Sequence, residues 1–201
     1  LRALGRTDEA FAEWRRIVEK PGAGPDDYSF YAATLAEAGF ADRATAALRG
    51  YVLALYPDRM NLSQMRAALG GRAGEALRGR PGFRGLLREI AGKDGPRVEF
   101  CEMVLAAGLA AGDEEFFHLA AIADLEAKGA PYRFRAQADE WRRRLAALYR
   151  SAGLYGKIVD LLAVYAGRLP PAEPAPEWAA LELVRALSAA GRVADARREA
   201  A

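Results

Sequence analysis

Five glycines in this chain each end a helix-like stretch, and a small or apolar residue follows five positions later: Gly5/Ala10, Gly39/Ala44, Gly112/Phe117, Gly153/Ile158 and Gly191/Ala196. The first two glycines stand 34 residues apart, a period that belongs to stacked helix–turn–helix units. Glycine tolerates left-handed backbone, so it can end one helix and let the chain double back. The expected fold is all-α, an antiparallel helix-pair solenoid in which neighbours cover the apolar face each pair leaves open. Such an array offers a long binding surface and brings no reaction chemistry of its own.

Residues 8–19 place Ala10, Phe11, Trp14, Ile17 and Val18 at helical spacing. Pro21, Gly22, Gly24 and Pro25 then force a break, and Asp26 or Asp27 stands ready to cap the next helix. Its buried face should hold Tyr28, Tyr31, Ala32 and Leu35 up to Gly39. The partner helix, starting at Asp42, should turn Ala44, Ala47, Leu48, Tyr51, Val52 and Leu55 inward until Pro57 stops it.

With Gly39 as the fifteenth position of a 34-residue unit, Tyr31, Ala32, Leu35, Ala44, Leu48 and Tyr51 fall on apolar sites and Pro57 lands near the end. That pattern resembles the tetratricopeptide repeat. The same alignment places Leu145, Ala146, Tyr149, Gly153, Ile158, Leu162, Tyr165 and Pro170 in one further unit, and Leu183, Val184, Leu187, Gly191 and Ala196 in another. Gly5, Ala10, Trp14 and Ile17 match a unit lacking most of its first helix. The resemblance therefore covers residues 1–58 and 139–201 and implies a superhelix with degenerate central repeats at 59–97 and a helical hairpin at 98–138. Residues 1–5 read as the last turn of a helix and 193–201 as a helix cut short, so a segment of a longer protein is expected.

The middle departs from the pattern at Gly70-Gly71, Gly79, Gly82 and Gly92, which interrupt short stripes such as Phe83, Leu86, Leu87 and Ile90. A division into two sub-arrays near residues 70–96 is the alternative to one continuous stack. Residues 97–111 and 113–128 pattern as a helix pair about Gly112, capped by Asp113, with Phe116, Phe117, Leu119, Ala120 and Ile122 inward. Phe117 is large for a position where close-packed repeats use a small residue.

Catalysis finds little support. His118 is the sole histidine, best read as a helix residue with a satisfied hydrogen bond, and Cys101 is the sole cysteine, best read as a small core hydrophobe. A zinc site needs three or four converging ligands, so no metal or cofactor is expected. The carboxylates of Asp113, Glu114 and Glu115 suit a helix N-terminus without any ion. No phosphate-loop glycine pattern and no nucleophile elbow occurs. The longest uncharged apolar stretch has ten residues, half of what a membrane span needs.

Nine cations between Arg59 and Arg97 face only Glu75, Glu89 and Asp94, but Phe83 is the lone aromatic there, so nucleic acid is disfavoured and a solvated face preferred. Only four of the 29 cationic residues are lysines, a bias that fits a GC-rich, bacterial-type genome.

The resemblance implies a concave groove lined by the first helix of each pair. Carried over singly, its groove-facing positions are Ser29, Ala33 and Glu37; then Arg143, Ala147 and Arg150; then Trp178, Leu181 and Arg185. The family's clamp for a terminal carboxylate needs asparagine, and Asn61, the only one here, lies outside the matching positions. The expectation is a non-enzymatic scaffold that binds a partner protein or peptide. Glu37, Arg143, Arg150, Trp178 and Arg185 are its candidate contacts. The alternatives are an effector-sensing module of a transcription regulator and a periplasmic scaffold of a polysaccharide-export system. Compartment and oligomeric state stay open, and the proline-rich stretch 169–176 reads as a stiff spacer.

Overall fold

The computed structural model describes residues 7–56, 58–93, 97–129, 135–165 and 176–200. Among these residues there are twelve helices and no strand. They form two compact units that divide after Phe117, inside a helix.

In unit 1 the helices are α1 (Thr7–Val18), α2 (Pro25–Glu37), α3 (Ala41–Leu55), α4 (Leu62–Gly70), α5 (Arg72–Leu77), α6 (Pro81–Ala91) and α7 (Arg97–Ala106). Helix α2 packs on α1, α3, α4 and α5, while α3 also packs on α6 and α4 on α7. The expected apolar stripe of α1 runs through buried Ala10, Phe11 and Val18, and that of α3 through buried Ala44, Leu48 and Val52. Phe83 and Phe100 are completely buried, and Cys101 is buried as a core residue.

Helix α8 (Glu114–Lys128) carries the boundary, and unit 2 continues with α9 (Arg135–Ser151), α10 (Tyr155–Leu162), α11 (Glu177–Ala189) and α12 (Val193–Glu199). Here α9 packs on α10 and α11, and α11 packs on α10 and α12. Ile158, Leu162, Leu183, Leu187 and Ala196 are buried among them.

Three hairpins turn in one way. The segments Ala38-Gly39-Phe40, Ala152-Gly153-Leu154 and Ala190-Gly191-Arg192 join α2 to α3, α9 to α10 and α11 to α12. In each, the amide after the glycine donates to a carbonyl five residues back: Phe40 to Leu35 at 2.9 Å, Leu154 to Tyr149 at 2.8 Å, Arg192 to Leu187 at 2.8 Å. That bond requires left-handed backbone at the glycine, whose φ is +92°, +71° and +76° in turn. Phe40, Leu154 and Arg192 then repeat one conformation, with ψ of 51°, 54° and 56°. The residues five positions beyond the glycines, Ala44, Ile158 and Ala196, are all buried. Gly5, Pro57, Pro170 and most of the stretch 169–176 lie outside the described residues.

The fourth expected turn differs. Helix α7 stops at Ala106 rather than continuing to residue 111, because Gly108 adopts φ +63° and Leu109 donates to Val104 at 3.0 Å. The early stop seats Leu109 against α5, where Gly74 makes room: a Cβ at Gly74 would lie 2.7 Å from Leu109 Cδ2. Gly112, at φ +81°, is a second left-handed glycine just ahead of α8.

The face of α8 is also corrected. Phe117, Ala121 and Leu125 form its buried stripe, with Ile122 beside them, whereas Phe116 is 36% and Leu119 45% exposed. A stripe at i, i+4 and i+8 cannot also bury positions one residue before or two after its first member. Phe117 is fully buried despite its size.

Candidate functional site

The candidates fall in both units. In unit 1, Glu37 ends α2 and is exposed. Its expected companions Ser29 and Ala33 face no groove; both are buried, because α5 covers that side of α2. The Ala73 amide donates to Ser29 Oγ at 3.3 Å, and a Cβ at Gly71 would lie 3.0 Å from the same oxygen. The glycines that interrupt the sequence pattern are thus where one helix comes close to another. What α2 exposes instead is Phe30, stacked on Trp14 with centroids 5.8 Å apart and covered by the Arg72 guanidinium at 4.9 Å.

In unit 2 the remaining four candidates lie on α9 and α11, and two of them, Arg150 and Arg185, meet at one carboxylate. Arg143, Ala147 and Arg150 share one stripe of α9, and Trp178, Leu181 and Arg185 share one stripe of α11, by helical spacing. The two helices touch, and Arg150 Nη1 donates to Glu182 Oε2 at 2.7 Å across them. Arg185 Nη1 stands 4.0 Å from the same oxygen. Glu182 is buried, while Arg143, Arg150 and Arg185 are exposed and Leu181 is 51% exposed. Trp178 is half-buried, edge-on to Tyr165 with centroids 6.2 Å apart. Sequence reasoning missed Glu182. Its signal is an acid among the inward residues Ala179, Leu183 and Ala186, a position that needs a cation from another helix.

Two clasps hold this part of unit 2 in shape. Tyr149 Oη donates to Glu126 Oε1 at 2.5 Å, and Lys157 Nζ donates to the same oxygen at 2.8 Å. The Lys157 bond, with that of Tyr149, holds the Glu126 carboxyl below its ordinary pKa. Burial, together with the bond to Glu126, pushes the Tyr149 phenol well above its own. In the second clasp Tyr165 donates to Asp139, and the Arg142 guanidinium lies 5.4 Å from the Tyr165 ring centre. Burial again raises the Tyr165 phenol, with the Asp139 bond adding to it.

The basic stretch 59–97 spends part of its charge inside unit 1. Arg88 forks onto buried Asp113, Nε to Oδ2 at 2.7 Å and Nη2 to Oδ1 at 2.5 Å, so this carboxylate serves an ion pair between α6 and the start of α8. Glu89 is taken by Arg49 at 2.6 Å. A satisfied histidine is expected at 118, but its Nδ1 is buried without a hydrogen-bond partner among the described residues. The backbone amides around it are committed to the helix, and a ring nitrogen that accepts finds no donor there. Among the described residues no three His, Cys, Asp or Glu side chains converge as metal ligands, and no helix is long and apolar enough to cross a membrane.

No family model, no curated protein and no solved structure matches this chain.

Proposed function

We propose that the chain is a non-enzymatic binding module, a tetratricopeptide-like scaffold that takes a protein or peptide segment on the α9–α11 face. The observation that carries this reading is the meeting of Arg150 on one first helix and Arg185 on the next at buried Glu182, with Leu181 exposed on the same helix as Arg185. The repeated Ala-Gly hairpin turn supports the repeat architecture, as does the packing of first helix on first helix, α9 on α11. A half-exposed leucine beside guanidinium groups suits a short segment with one bulky apolar residue; arginine and aromatic side chains are the types that concentrate binding energy at interfaces. The reading involves no cofactor.

A peptide-display selection on the folded chain tests it, with binders measured against Leu181→Asp and Arg185→Glu. Binders whose affinity falls at least tenfold on Leu181→Asp, with helicity unchanged, are the expected result. A selection whose binders tolerate both substitutions, or one that yields no binder, contradicts it.

A further inference from the structure

We draw no further inference here: the strongest candidate, the arginine cluster Arg78, Arg84 and Arg88 packed against the glycine-containing loop before α8 in unit 1, already has countercharge beside it in Asp113, which Arg88 binds, and in Glu114, whose carboxylate accepts from the Gly112 amide, so nothing in the structure shows an anion-recognising site there.

Discussion

The hairpin at Gly153 and the connection at Gly112 share an Ala-Gly dipeptide, yet only the first makes the repeated turn. At Gly153 the preceding helix runs to Ser151, and three residues suffice to reverse the chain. At Gly112 an earlier glycine, Gly108, has already ended the helix, and seven residues separate α7 from α8. The difference lies in tertiary packing. Leu109 and Ala110 are buried in the α7–α8 connection, Leu109 against α5, and the contact at Gly74 is so close that no other residue type fits without movement. A local signal specifies the turn where nothing competes and yields where a neighbouring helix offers a buried site.

That contrast can be broken at Gly74. Gly74→Ala puts a Cβ 2.4 Å from the Leu69 carbonyl oxygen, so unit 1 should lose about 3 kcal/mol in denaturant unfolding. Gly85→Ala, on α6 in open space, should be stabilising by up to about 1 kcal/mol. Equal effects of the two would remove the close-approach argument.

The repeated turns sharpen it next. Alanine at Gly39, Gly153 or Gly191 must adopt left-handed backbone although no atom lies within 4 Å of its Cβ, so each should cost roughly 1–2 kcal/mol by backbone strain alone. Thermal or chemical unfolding of the three variants checks whether the cost is the same at each. A neutral outcome at any one would mean that its turn is not the shared one.

Unit 2 should also respond to pH through its first clasp. Glu126 has a folded pKa below its unfolded one, so its contribution is present above the ordinary glutamate range and is lost as pH falls through the folded value. Tyr149 has a folded pKa above its unfolded one, so its contribution is full below about pH 10 and declines as pH rises beyond that. Unfolding measured against pH should therefore lose stability at both ends. Tyr149→Phe should flatten the alkaline limb, and an unchanged limb would remove the tyrosine from the account.

The smallest effects belong to the candidate face. Arg150→Ala leaves buried Glu182 with only the more distant Arg185 and should cost roughly 1 kcal/mol, whereas exposed Arg143→Ala should stay within about 0.5 kcal/mol of the parent. Denaturant titration separates the two, and a large loss from Arg143→Ala would reassign it from the surface to the framework.

Much of the helical layout was legible in the sequence, because glycine and proline punctuate it and apolar spacing marks the buried faces of α1 and α3. Two features were not. The burial of Ser29 and Ala33 depends on α5, more than 40 residues on, approaching through Gly71, and no local pattern carries that distance. The end of α7 depends on a choice between Gly108 and Gly112, which stand four residues apart and are equally able to turn left-handed. Of the candidate face, the arginines and Leu181 came from the repeat resemblance, carried over position by position, while the Glu182 bridge between α9 and α11 required knowing that those helices touch.

The account rests on one turn that closes three hairpins in three residues and that, in the α7–α8 connection, forms early at Gly108 instead of at Gly112. Backbone carbon chemical shifts measured by NMR along the chain test this most directly. Helical values that stop after Ala106 and do not resume before Glu114, with only three non-helical residues at each of 38–40, 152–154 and 190–192, are the predicted result. Helical values running unbroken from Arg97 to residue 111 would contradict it.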